Sequence, residues 1–405
     1  MKTLKIDFKN PDLYINGIPH DLISSVRKTS PVFWNEEDEG GFWSILKHSD
    51  IVSISKKPHI FSSANRYGGH RIFDEQEAGV AKTGSPQIGI PFISTDPPLH
   101  REYRRLVQPA VSPVKVKAMK EKMRSKARAL LNSALDKGKE FDLVESISTP
   151  YPLAVLADLF GIPNADIGLL LSWSNAMVGE DDSSIRINPE ESARILEEMI
   201  EYGSWIFEDR KRNPTNDVLS MLANGLINKK SLSKSDFLAS FILLLVGGNE
   251  TTRNSISHGL IAFTRYPEQW AKLKRNPNLV GNAVKEIIRW SSPVMHMRRT
   301  AISDIVVNDQ KIKAGDKVVL WYVSGNQDEA VYKNPHKFDI ERDAGRHLGF
   351  GAGNHICIGN RLAETQLEII LEEIVNLLPN LRVVGEGRRL RSNFINGFLE
   401  LPVSR

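Results

Sequence analysis

From about residue 97 to residue 290, apolar positions recur every three or four residues, the spacing that lines one face of a helix. The pattern predicts helices over 98–110, 114–137, 144–160, 163–177, 189–212, 214–225, 233–264, 266–274 and 278–290. Near Arg299 the period changes. DIVVNDQKI reads as a hairpin turning at Asn308-Asp309, because Asn and Asp tolerate the positive φ of a two-residue turn. DKVVLWYV reads as another strand, helix returns over 360–378, and LRVV and NGFLELPV read as strands. Upstream, GFWSILKHSDIVSIS predicts a strand and then a short helix. Residues 62–91 are Gly-rich, carry Arg66, His70 and Arg71, and show little periodicity; they predict a long irregular binding loop or lid. The fold class is mainly α with small β-sheets (α+β), and no repeat or low-complexity linker marks a domain boundary.

Composition narrows this picture only a little. A chain of 405 residues, 41% hydrophobic and 25% charged, can bury a sizeable core without staples. Its 53 basic and 49 acidic side chains are too balanced for a nucleic-acid partner by charge alone. The most apolar stretch, Phe237 to Val246, is interrupted by Ser240 and is far shorter than the ~20 residues that span a bilayer. MKTLKIDFKN has no apolar run of the signal-peptide kind. These features predict a soluble cytoplasmic protein without a membrane anchor. The single cysteine excludes an intrachain disulfide and a zinc site of several thiolates.

That cysteine, Cys357, lies in FGAGNHICIGNRLAE. Its ordinary alternative is a buried, inert thiol. The surroundings point elsewhere. Gly349, Gly351, Gly353 and Gly359 let a backbone bend sharply and approach a flat ligand. The helix that follows places Cys357 near free N–H groups that stabilise a thiolate, the metal-binding form. The dinucleotide pattern G-x-G-x-x-G fails, since its last position is Asn354 or Ile356. Zinc would need more ligands than the nearby His347 and His355. A single axial thiolate beneath a planar cofactor, haem iron, fits better.

A second constellation is LLLVGGNETTRN, from Leu243 to Asn254. Its ordinary alternative is a buried helix whose Thr251 and Thr252 bond their own backbone. That leaves Gly247-Gly248 unexplained, since the pair costs ~2 kcal/mol relative to alanine inside a helix. Small residues there make room for a ligand, and Glu250 beside Thr251 sets a carboxylate next to a hydroxyl, a pairing suited to proton relay.

Phe350, Gly353, Cys357 and Gly359 spell F-x-x-G-x-x-x-C-x-G, which resembles the haem-binding signature of the cytochrome P450 family. E-x-x-R at Glu286 and Arg289, NPHKFDIER with Arg342, and DPPLHREYRRL follow the same family pattern. The resemblance implies the P450 fold, a triangular prism-like helical domain around haem, as one haem domain over 1–405 without a fused reductase. It implies that Cys357 is the metal ligand of haem b, with Phe350, Gly353, Gly359 and Gly248 against the cofactor. His100, Arg104, Arg299 and His355 would hold its propionates. Thr251 would orient dioxygen and a water, and Glu250 would conduct protons from solvent. Glu286, Arg289 and Arg342 would form a structural triad. By the same analogy Ile93, Met177, Leu244, Gly248, Val294, Met295 and Ile395 would line an apolar substrate pocket, although each could equally be core.

The implied electron route is NAD(P)H, ferredoxin reductase, a [2Fe-2S] ferredoxin and then this haem. Arg101, Arg105, Lys115, Lys117 and Lys120 are either a solvated basic face or the docking surface for that acidic ferredoxin. GGNETTRNSISHG, SSPVMHMRRTA, GDKVVLWYVSGNQDE and RLRSNFINGF resemble the family's terpene, steroid and branched-lipid hydroxylases. The implied activity is hydroxylation of an allylic methyl on a small terpenoid, with a steroid side chain or branched lipid as the alternative. A haem-thiolate sensor without turnover is a reading of another class, and Glu250 and Thr251 argue against it. A monomer is expected.

Overall fold

The computed structural model describes residues 6–37, 40–72, 87–178, 182 and 184–405. Residues 73–86 of the irregular stretch expected over 62–91 therefore lie outside the described residues. The chain divides into two compact units: Met1–Ile72 with Asn254–Cys357 and Leu378–Arg405, and Phe73–Arg253 with Ile358–Leu377.

The first unit is organised by a five-stranded sheet. Its spatial order is Val32–Glu37, Gly40–Ile45, Lys317–Trp321, His296–Ala301 and Phe61–Ser62. The pairs are antiparallel except that Lys317–Trp321 runs parallel to Gly40–Ile45. Neighbouring side chains alternate between two cores, as the pleat requires. Phe42, Val319 and Trp321 join Phe8, Phe33 and Met295, while Trp43, Ile45, Val318 and Leu320 join Ile51 and Phe61. The strand from Gly40 and the helix His48–Ser55 follow the expected order. The hairpin Ile305–Val307/Gln310–Ile312 turns where the sequence predicts, with φ of 51° at Asn308 and 62° at Asp309. Glu286 and Arg289 are fully buried and bonded at 2.7 and 2.8 Å, and Arg342 Nε reaches the same carboxylate at 3.2 Å.

The second unit is helical. It includes Leu99–Val107, Pro113–Asp136, Pro150–Phe160, Ile167–Val178, Pro189–Arg212 and Asn360–Leu377 together with the first part of the long helix Lys234–Arg265. Phe160 and Trp173 both meet Phe241 of the long helix, at ring separations of 5.7 and 6.3 Å. Gly203 admits Leu238, whose side chain would clash with a Cβ there. Arg124 and Arg128 converge on the buried Glu373 at 2.5 and 2.8 Å and tie Pro113–Asp136 to Asn360–Leu377.

Two predicted helices differ. The segment 144–160 is a π-helical turn, Val144–Ser148, followed by Pro150–Phe160, because Pro150 has no N–H to continue the ladder. The segment 214–225 shortens to Val218–Ala223, where Asp217 accepts the Ser220 N–H at 2.7 Å and sets the start. Among the described residues no helix is long and apolar enough to cross a membrane.

Candidate active site

In the first unit the loop before Cys357 is folded by its glycines. Gly351 and Gly353 sit at φ of 70° and 67°, in the left-handed region. A Cβ on Gly353 would run into the Ser55 carbonyl, so that position is closed to any side chain. The Cys357 N–H donates to the Phe350 carbonyl at 2.8 Å, which turns the loop back on itself and leaves Cys357 half-buried. The Phe350 ring lies 5.2 Å from His347. Asn360 opens the helix three residues later, with the Ala363 N–H donating to the Gly359 carbonyl.

Arg299 in the same unit is 4% exposed. It donates to its neighbour's carbonyl at 2.7 Å and to the Tyr322 hydroxyl, and has no carboxylate partner among the described residues. A buried guanidinium so placed suits an anionic group of a ligand. Nearby, burial and then Arg71 and Arg299 push His70 down to about 3, so it stays neutral. His355 is half-buried in the cysteine loop. Within the first unit haem fits on two counts: a cysteine in a glycine-shaped loop and a buried cation suited to a carboxylate. In the second unit one helix face is left open at a glycine.

That face belongs to the long helix. A Cβ on Gly247 would meet nothing within 4 Å. Thr251, one turn on, donates to the Gly247 carbonyl at 3.2 Å, so the backbone-bonded alternative holds for its hydroxyl here. Leu244 is half-buried on the same stripe. Gly248 is different from its expectation: a Cβ there would meet Leu156 Cδ1 at 2.9 Å. Its small size serves helix packing, because each helical residue points about 100° from the last. Gly247 is the glycine that clears space.

Glu250 is 2% exposed rather than open to solvent. Its Oε1 accepts from Ser174 Oγ at 3.1 Å, Asn249 Nδ2 at 3.3 Å and Arg253 Nη1 at 3.2 Å. His100, 2% exposed, and the half-buried Arg104 lie at i,i+4 on Leu99–Val107, with Arg101 and Arg105 outward. Ile93 and Met177 are half-buried in the second unit; Val294 and Ile395 are half-buried in the first, where they pair in an antiparallel bridge. Met295 departs from the pocket expectation. It is fully buried among Phe8, Phe42 and Trp321, because successive residues of an extended chain face opposite ways. Sequence reasoning passed over Ser174, Asn249 and Arg253. Only Arg253 left a signal, its i,i+3 spacing from Glu250.

The cytochrome P450 family model matches residues 29–379. Over 398 residues the chain is 45% identical to linalool 8-monooxygenase of Pseudomonas putida, covering 98% of each. It is 33% identical to a steroid C26-monooxygenase of Rhodococcus jostii, over 98% of this chain and 84% of that one. A cytochrome P450 of Mycobacterium marinum, solved in complex with pseudoionone, superposes with a TM-score of 0.89 at 29% identity, covering 100% of this chain and 99% of that one.

Proposed function

The chain belongs to the cytochrome P450 family and is a P450 monooxygenase; from that premise we propose that it hydroxylates an allylic methyl of an acyclic monoterpene alcohol of the linalool type. The observation that carries the substrate class is the 45% identity to linalool 8-monooxygenase, which runs through 98% of both chains. Of the apolar residues proposed to meet the substrate, Ile93, Met177 and Leu244 are half-buried in the second unit and Val294 and Ile395 in the first.

Cys357 would be the iron ligand, and His100, Arg104, Arg299 and His355 would hold the propionates of haem b. Bound there, haem supplies dioxygen activation for C–H hydroxylation. Each turnover takes up dioxygen, two electrons and two protons and yields the alcohol and water. The chain's own work is proton handling and positioning. Thr251 would let go of the Gly247 carbonyl to orient a water, and Glu250 beside it would pass protons to that water. The apolar side chains would hold the methyl in place and exclude bulk solvent. Electrons would arrive from NAD(P)H through a ferredoxin reductase and a [2Fe-2S] ferredoxin docking on the basic face around Arg101. The whole chain would act as one haem domain, monomeric and cytoplasmic.

Titrating the holoprotein with linalool, related monoterpenes and cholesterol derivatives while following the haem spin state tests the substrate. Monoterpene alcohols should shift the resting spectrum. A shift produced by a steroid alone would overturn the terpenoid assignment in favour of steroid hydroxylation, the activity of the 33%-identical relative.

A further inference from the structure

We propose that Ser174 is a positioning residue for Glu250, holding the acid's carboxylate in register for proton transfer; this rests on the proton-relay reading above. Four polar side chains meet inside the second unit: Ser174 at 1% exposure, Asn249 at 0%, Glu250 at 2% and Arg253 at 4%. Buried ionic groups are often no more stabilising than apolar packing of similar volume, so stability is a weak reason for such a cluster. Its bonds have a direction. Asn249 Nδ2 donates to Ser174 Oγ at 2.7 Å. That occupies a lone pair of the hydroxyl and aims its proton at Glu250 Oε1, 3.1 Å away. Arg253 and Asn249 pull on the same oxygen from the long helix itself. Ser174 is the contribution of a different helix, Ile167–Val178. The carboxylate is thereby held from two helices, and its orientation follows the position of Ile167–Val178. Without the hydroxyl the carboxylate loses this tether to Ile167–Val178, and its orientation is no longer set from that helix.

The test compares the holoprotein with Ser174→Ala. The variant should keep the ferrous carbon monoxide spectrum and the linalool spin-state midpoint of the wild type. Its ratio of product to released peroxide should fall roughly tenfold, the effect of one hydrogen bond to a charged group. Its solvent deuterium isotope effect on turnover should rise by about twofold as proton transfer limits the rate. In urea unfolding, Ser174→Ala and Glu250→Gln together should lower the midpoint by less than the sum of their separate effects. Asn249→Leu, which removes the bond that orients the hydroxyl, should change the product ratio in the same direction and carries the test should Ser174→Ala fail to fold. Unchanged product ratio and isotope effect with an intact spectrum, or additive urea shifts, would overturn the role of Ser174 while leaving the relay in place. Full coupling in Glu250→Gln would remove the relay reading itself.

Discussion

Thr251 and Glu250 are adjacent in the chain yet face different surroundings. Thr251 lies on the open stripe that includes Gly247, while Glu250 points into a buried polar cluster. Thr251→Ala should therefore leave the fold intact and uncouple the reaction: NAD(P)H oxidation continues while product falls roughly tenfold and peroxide appears. Simultaneous assay of NAD(P)H, product and peroxide checks this, and full coupling would count against the relay. At this scale the sequence marks candidate residues wherever a residue type is locally unusual. Cys357 among glycines, and a carboxylate beside a hydroxyl after two helix glycines, could be read directly. Which glycine clears space could not, because the choice between Gly247 and Gly248 depends on where Leu156 packs. Met295 is ambiguous in sequence for a similar reason: an apolar residue looks the same in a pocket and in a core until its neighbours are known.

Elements were legible where local chemistry decides them. Asn308-Asp309 makes its turn through backbone preference alone. The strand Val32–Glu37 was not legible, since VFWNEE has no alternation and is defined by pairing with Gly40–Ile45. The helix Val280–Ser291 is anchored by Glu286, which accepts from Arg289, Arg342 and the Asp339 N–H. Glu286→Gln leaves a fully buried Arg289 without its anion and should cost about 3–5 kcal/mol, measurable by urea unfolding. A loss below about 1 kcal/mol would mean the triad is not a fixed point of the fold. Leu99–Val107 offers an opposite case. Its exposed Arg105 pairs with Glu102 at 3.0 Å on the surface, a contact worth little to stability. Reversing charge at Arg101 and Arg105 should leave stability nearly unchanged while slowing reduction by ferredoxin and flattening its dependence on salt. Stopped-flow reduction at several ionic strengths checks this, and unchanged kinetics would remove the docking face.

For the whole molecule, histidines kept neutral by their surroundings lower stability in acid. Burial pushes His70, His258 and His296 down to about 3, aided at His70 by Arg71 and Arg299 and at His258 by Arg389. The unfolded chain binds protons at these groups near pH ~6.5, whereas the folded protein refuses them until about 3. Stability is thus unaffected by them above pH ~6.5 and falls as pH drops below it, by up to ~1.4 kcal/mol per pH unit for each histidine. Urea midpoints between pH 7 and 4 should show this slope, and His258→Gln should reduce it by about one proton. A flat profile would mean that these side chains are protonated in the folded protein.

Fold and chemistry meet in one claim, that the lone cysteine is an iron ligand. The reduced, carbon monoxide-treated holoprotein and its Cys357→Ser variant test it most directly by difference spectroscopy. The wild type should absorb at the position characteristic of thiolate-ligated haem, and Cys357→Ser should lose that band. A wild type without the band, or a variant that keeps it, would contradict the account.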